Sequence, residues 1–354
     1  LVDEALATGW LTNGGVLHDR LEGQVEALAG GVPATLLSSG TMALMLALRL
    51  GNLPAGAEVI TSPLSFPATV QAIEWCGFQP VFADVDPDYL TLDPDAVETA
   101  ITPRTAAILP VHLLGGPCDV MGLDAVARRH GLWLAYDAAH AFGVTFQAEP
   151  IARYGDASAF SLHATKLLHT AEGGFVCAPR VGATEALRRL RNFGLQDGRM
   201  TGPGINGKLS ELQAAMGLAL IEDLPAETAA RERLRGLYDA IFEGIPGVRS
   251  HPTRAGASPS LTFYGLRSDP ALRARLHGAL AAEDILARDH FPLLCGTGTA
   301  YPNAPIRTTG REAVAPRKGP EMLCLPFHGA VEDRDVERMA QIIARCAAEE
   351  GAGL

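Results

Sequence analysis

Lysine is almost missing from this 354-residue chain, with Lys166, Lys208 and Lys318 standing against arginines that carry nearly all the remaining positive charge. A guanidinium keeps its proton, whereas an amine can lose it, become a nucleophile and form an imine. A lysine kept in an arginine-using chain therefore points to a demand for an amine. Basic runs are missing too: 29 Lys+Arg meet 40 Asp+Glu for a formal net charge of −11, which argues against nucleic acid or an anionic membrane as partner. A phosphorylated ligand is still allowed, held by local amides and a few cations. The six cysteines (Cys76, Cys118, Cys177, Cys295, Cys324 and Cys346) form no C-x-x-C pair, so neither a zinc ribbon nor a disulfide framework is suggested and no metal is expected. No apolar run reaches the roughly 18 residues of a membrane span, and no signal peptide precedes the first amphipathic segment, so the protein is expected in the cytoplasm. The chain opens on Leu1 and not on Met, so further N-terminal residues are expected in the full protein.

What is present is a loop-rich chain, 47% hydrophobic with 38 Gly and 24 Pro, long enough for two domains. Short apolar runs at 35–37, 58–61, 80–83, 106–111, 132–136, 157–161 and 174–178 alternate with helical stretches. That alternation implies a mostly parallel sheet covered by helices on both faces. Such sheets bind ligands beyond the carboxyl ends of their strands, and Ser38 to Thr41, Phe66, His112, Asp137 and Lys166 each follow a predicted strand. Helices are expected over 17–28 and 42–50, then over 209–221 and 226–242 as a bridge. A larger domain over 1–243 and a smaller one of mixed strands and helices over 244–354 are expected, without internal repeats.

Lys166 lies between two apolar runs, in Ser-Leu-His-Ala-Thr-Lys-Leu-Leu-His-Thr-Ala-Glu-Gly-Gly over 161–174, and so on a loop joining core strands. A solvated surface lysine is the ordinary alternative, and these neighbours argue against it. Ser38-Ser39-Gly40-Thr41 forms a small polar turn between a strand and a helix, where free backbone N–H groups suit a phosphate; an ordinary helix cap by Ser39 or Thr41 fits the same pattern. Asp137 ends a buried strand, a costly place for a carboxylate without a cation, though a helix cap is the open alternative. Gly202-Pro-Gly-Ile-Asn-Gly207 matches G-x-G-x-x-G formally, but it follows a polar loop and carries proline where N–H groups are needed.

Taken together, Ser38-Ser39-Gly40-Thr41, Asp137-Ala138-Ala139-His140, and Ser161 with Lys166 and Glu172-Gly173-Gly174 form a set no single motif could establish. The chain here resembles the DegT/DnrJ/EryC1/StrS sugar aminotransferases. The likeness runs in order from Leu11-Thr12-Asn13-Gly14-Gly15 through Ile101-Thr102-Pro103-Arg104-Thr105, Pro110-Val111-His112-Leu113 and Gly207-Lys208-Leu209-Ser210-Glu211 to Leu325-Pro326. It implies the pyridoxal-phosphate (PLP)-dependent transferase fold type I, aspartate aminotransferase-like: α/β, with a mostly parallel central sheet and a smaller C-terminal α+β domain. It also implies pyridoxal 5'-phosphate as cofactor, a homodimer with shared active sites, a nucleotide-sugar substrate and an amino-acid donor, glutamate.

On that likeness Lys166 holds the cofactor and then shuttles the proton, while Asp137 pairs with the pyridine nitrogen. Gly40, Thr41 and Ser161 bind the phosphate with Asn206 of the partner subunit, Phe66 stacks on the ring, and His140 lies beside the ring oxygen. His163, Glu172 and Lys208 are candidates on the sugar side; His163 equally suits a core position, and Lys208 stands where many members carry Arg. Dehydratase relatives have His in place of the lysine, so Lys166 favours transamination, and Leu162 for the usual Phe is a conservative change. His163-Ala-Thr-Lys166 with Thr170-x-Glu172-Gly-Gly resembles the C4-acting branch, whereas the C3-acting branch more often has Tyr-Pro before the lysine and Asp-Ala-Gly after it. A dTDP-4-keto-6-deoxyhexose is therefore the expected acceptor. The alternatives are a C3-acting enzyme, a cyclitol ketone aminotransferase, and a regulatory homologue without turnover; an intact Lys166, Asp137 and phosphate turn speak against the last.

Overall fold

Along each long strand of the main sheet, successive side chains enter two different cores. Leu36, Ile108, Leu134, Tyr136, Phe160, Phe175 and Cys177 belong to one; Leu37, Ala107, Leu109, Ala135, Ala159 and Val176 belong to the other. Both faces are dry, which is why these segments read in the sequence as continuous apolar runs.

The computed structural model describes residues 1–289 and 291–351. Helices α1 (Val2–Thr8) and α2 (Val16–Leu28) lead into β1 (Ala34–Leu37) and α3 (Gly40–Leu50). Alternating units follow: β2 (Glu58–Thr61), α4 (Pro67–Trp75), β3 (Gln79–Ala83), α5 (Pro94–Ala100), β4 (Thr105–Leu109), α6 (Val120–His130) and β5 (Trp133–Asp137). A small hairpin of β6 (Thr145–Phe146) and β7 (Glu149–Pro150) precedes β8 (Ala157–Ser161) and β9 (Gly174–Cys177). Next come α7 (Ala183–Leu190), the hairpin β10 (Leu195–Gln196) and β11 (Arg199–Met200), and the long α8 (Glu211–Phe242). The remainder is β12 (Arg249–Ser250), β13 (Tyr264–Arg267), α9 (Pro270–Ala281), β14 (Ile306–Arg307), α10 (Ala315–Lys318), β15 (Met322–Leu325) and α11 (Asp333–Gly351).

The main sheet has the order β1-β9-β8-β5-β4-β2-β3-β14. β9 alone runs against its neighbours; every other adjacent pair is parallel. Register does the positioning: Leu37 and Ser161 both lie opposite Gly174, and Asp137 lies opposite Ala159. The turn after β1, the end of β8 and the end of β5 are thereby brought to one edge. Small residues on the inner face, Ala107, Ala135, Ala157 and Ala159, leave room for α3, which presents Ala43 and Ala47.

A third core joins β12, β13 and β15 to α9 and α11, and the second half of α8 enters it through Leu234, Tyr238 and Phe242. The expected break between helices at 221 and 226 is not there: α8 is continuous, with Pro225 inside it. Proline forfeits one hydrogen bond and strains one turn, and the packing of both halves of α8 against two cores outweighs that local preference. The C-terminal part also returns to the main sheet, since Ile306 and Arg307 pair with Phe82 and Ala83 at its edge. Among the described residues no helix is long and apolar enough to cross a membrane, and no cluster of His, Cys, Asp or Glu could hold a metal ion.

Candidate active site

Lys166 sits on the loop between β8 and β9, and that loop is pinned at both ends. Leu162 N–H donates to Gly173 O (2.9 Å), Ala164 N–H to Ala171 O (2.8 Å) and Thr170 N–H to Leu162 O (2.9 Å). The Gln213 amide at the start of α8 and the Thr170 hydroxyl both donate to Glu172 O, each at 2.6 Å. The Gly173-Gly174 pair has a steric reason: a Cβ on Gly173 would lie 2.1 Å from Thr170 Oγ1, and one on Gly174 2.6 Å from Ser39 O. Lys166 Nζ lies 5.3 Å from the centre of the Phe263 ring. Burial pushes its amine down to about 8, opposed by the charge of Asp137.

Asp137 ends β5 and is 4% exposed. Its Oδ2 accepts from the Thr69 hydroxyl (2.7 Å) and its Oδ1 from Ala139 N–H (3.1 Å). Burial leaves the carboxyl above its usual range, although Thr69, Ala139 and the nearby Lys166 pull against it. His140 is buried in an aromatic corner, with its ring 5.0 Å from Phe263 and 4.8 Å from Phe291. His112 is stacked on Tyr136 at 4.7 Å, and its Nδ1 accepts from Cys118 N–H (3.0 Å). Complete burial drives that ring down to about 3, so it is neutral.

At the end of β1, Ser39 caps α3 by accepting from Met42 N–H (3.1 Å), so the ordinary cap exists alongside any anion site. The cap leaves the N–H groups of Gly40 and Thr41 at the helix start without intrahelical acceptors. A Cβ on Gly40 would sit 3.0 Å from Ser161 Cβ, so glycine is what lets the helix start close on that hydroxyl. Phe66, 60% exposed, is the N-cap residue of α4 and faces outward at the same edge of the sheet.

The remaining candidates lie toward the rim. Asn206 is exposed and bridges Asn192 by backbone pairing, while its neighbour Gly207 accepts from Ser38 N–H (2.9 Å). Lys208 donates to Asn192 Oδ1 (2.9 Å) and lies 4.6 Å from the Phe193 ring centre. His163 and Glu172 are both exposed and 3.7 Å apart. Thr69 and Phe263 escaped the sequence reading: Thr69 bears on Asp137 from 68 positions away, and Phe263 reaches Lys166 from the C-terminal part of the chain.

The model of the DegT/DnrJ/EryC1/StrS aminotransferase family matches residues 1–344. The chain belongs to that family. Among its relatives, the DegT-family dTDP-4-amino-4,6-dideoxy-D-glucose transaminase of Escherichia coli is 32% identical over 339 residues, covering 94% of this chain and 91% of its own. The UDP-N-acetyl-3-dehydro-alpha-D-glucosamine 3-aminotransferase of Acidithiobacillus ferrooxidans is 33% identical over 92% of this chain and 87% of its own. The crystal structure of DesI in the presence of its TDP-sugar product superposes with a TM-score of 0.91 at 35% identity, over 99% of this chain and 89% of that one. This DegT-family member is thus a sugar aminotransferase, and its cofactor is pyridoxal phosphate. The residues present fit the cofactor: a partly neutral amine, a buried carboxylate and a glycine-lined helix start beside a serine hydroxyl meet the needs of its aldehyde, ring nitrogen and phosphate.

Proposed function

We propose that this aminotransferase moves an amino group from L-glutamate to C4 of a dTDP-linked 4-keto-6-deoxyhexose, in the making of a deoxyaminosugar. The observation that carries the chemistry is Lys166, a partly buried amine that burial brings down to about 8 against the opposing charge of Asp137. Near neutral pH such an amine both takes and releases a proton, as a group acting alternately as base and acid must. When bound, pyridoxal phosphate supplies an electron sink for the carbon that loses that proton. Lys166 Nζ would take and return that proton, and Asp137 would pair with the ring nitrogen. Gly40, Thr41 and Ser161 would hold the phosphate, Phe66 would stack on the ring and His140 would lie beside its oxygen. Phe263 lies beside Lys166 from the C-terminal part of the chain, its ring centre 5.3 Å from Nζ. His163 and Glu172, on the outer rim of the lysine loop, face the sugar.

The nucleotide and the position rest on likeness to the E. coli C4 transaminase and to DesI with its TDP-sugar product. The A. ferrooxidans relative, named for C3, favours the second reading, amination at C3. Offering 3-keto and 4-keto isomers separately with glutamate, and locating the new amine by NMR, is expected to show amination of the 4-keto sugar alone. Amination at C3 alone would replace the reading and leave the cofactor residues where they are.

The active unit we propose is a homodimer. Phe193, Leu195, Met200 and Ile205 are exposed around Asn206, and Leu212 and Met216 on the first turns of α8, an apolar rim that a second copy would cover. With Asn206 of the partner subunit completing each phosphate site, Lys166→Ala and Asn206→Ala chains should complement each other. Random mixing makes half the dimers mixed, each with one intact site, so about a quarter of wild-type activity is expected. No recovery despite demonstrated mixing would mean self-contained sites.

A further inference from the structure

Behind Asp137 lies a line of hydroxyls for which the roles above have no use. Thr69 directs its only hydroxyl proton at Asp137 Oδ2 (2.7 Å). The 2.6 Å contact between Thr69 Oγ1 and Ser65 Oγ must therefore have Ser65 as donor. The protons run one way, from Ser65 to Thr69 to Asp137. Relative exposures are 1%, 0% and 4%, so water does not compete, and bonds chained in this way polarise one another. The neighbours on α4, Val70, Ala72 and Ile73, are fully buried and apolar. Hydroxyls in such a turn are costly unless they are bonded, and here Ser65 is bonded to Thr69 and Thr69 to the carboxylate.

A carboxylate set against a pyridine nitrogen shares one proton with it, and the proton resides on whichever partner holds it more tightly. Burial alone favours a neutral carboxylic acid and an unprotonated ring. Donors to the carboxylate favour the opposite arrangement. We propose that Ser65 and Thr69 are positioning residues that decide this contest, holding Asp137 as the carboxylate so that the shared proton sits on the ring nitrogen of the cofactor. The inference rests on Asp137 facing that nitrogen. On balance burial leaves the Asp137 carboxyl raised, and the Thr69 hydroxyl is the first of the groups that oppose that rise. Thr69 also belongs to the first turn of α4, whose N-cap is Phe66. One rigid turn thus sets both the ring's cover and the ring's charge.

Thr69→Val keeps the shape and removes the donor; Thr69→Ser keeps the donor. With ¹⁵N-labelled pyridoxal phosphate bound, the ring nitrogen's chemical shift reports its protonation without any turnover. Wild type and Thr69→Ser are expected to show a protonated nitrogen, Thr69→Val an unprotonated one, and Ser65→Ala an intermediate shift. In Thr69→Val, kcat should fall by roughly 10- to 100-fold, the usual scale for groups that orient a reacting residue, with KM nearly unchanged. A protonated shift in Thr69→Val overturns the proposal, and if that variant binds no cofactor, an unchanged shift in Ser65→Ala does so. Asp137→Asn separates the two levels. If it too keeps the protonated shift, Asp137 does not face the nitrogen; if it alone loses the shift, Asp137 is placed correctly and the hydroxyl line has no part in it.

Discussion

Lys166→Ala is expected to lower turnover by about 10⁶-fold, the scale of loss when the nucleophile of a site is removed. Neither other lysine is poised to replace it. Lys208 is held by Asn192 and Phe193, and Lys318 donates to Glu321 at 2.7 Å. The sign of the pH dependence follows from burial, which disfavours the ammonium form, so the neutral amine reaches half population at pH about 8 and not above 10. In cofactor-free protein, acylation of Lys166 should therefore rise about tenfold per pH unit below that point and level off above it. Borohydride treatment of the holoenzyme should leave the cofactor's mass on the Lys166 peptide. A label on Lys208 or Lys318, or a rate still climbing past pH 10, would remove Lys166 from its assigned place.

Asp137→Asn should keep much of the bound cofactor, because Lys166 and the helix start at Gly40 are untouched, while kcat falls by roughly 10² to 10⁴. That range corresponds to about 3–5 kcal/mol, the cost of leaving one member of a buried charge pair without the other. Asparagine has nearly the same shape and can still accept from Thr69, so the loss isolates charge from packing. Near-normal turnover in this variant would show that some other group activates the ring.

Much of this was legible in the sequence because the main sheet is dry on both sides. Runs such as Glu58–Thr61 and Ala157–Ser161 stand out without any help from neighbours, and the rule that ligands lie beyond strand ends then picks out Asp137 and Lys166. The edge strand Ile306–Arg307 was invisible, since two residues make no pattern. The division expected between 221 and 226 failed for the opposite reason: Pro225 there is a strong local signal, and it yields when both halves of a helix are anchored elsewhere. Thr69 could not be found by spacing, because its importance lies wholly in a partner brought near by the fold. That Leu11-Thr-Asn-Gly-Gly and Gly207-Lys-Leu-Ser-Glu both belong to the family's pattern gains a physical reason only in three dimensions. Glu211 accepts from the N–H groups of Gly15, Leu17 and His18 and so caps the start of α2, and a Cβ on Gly15 would meet its carboxyl carbon at 2.5 Å.

The sheet order also dictates when things can happen as the chain is made. Among the described residues β1 has β9 as its only neighbour, with Ala34 opposite Cys177, so the first strand synthesised has nothing to pair with until about 140 further residues have emerged. At ribosomal rates of roughly 5–20 residues per second, that is a wait on the order of ten seconds. Throughout it Leu36 and Leu37, fully buried at the end, are open to solvent or to a chaperone. The same pairing brings Gly174 beside Leu37 and Ser161. The last central strand to arrive therefore fills the gap between β1 and β8 and draws the helix start at Gly40 to Ser161 in one event; until β9 has emerged no strand links the two.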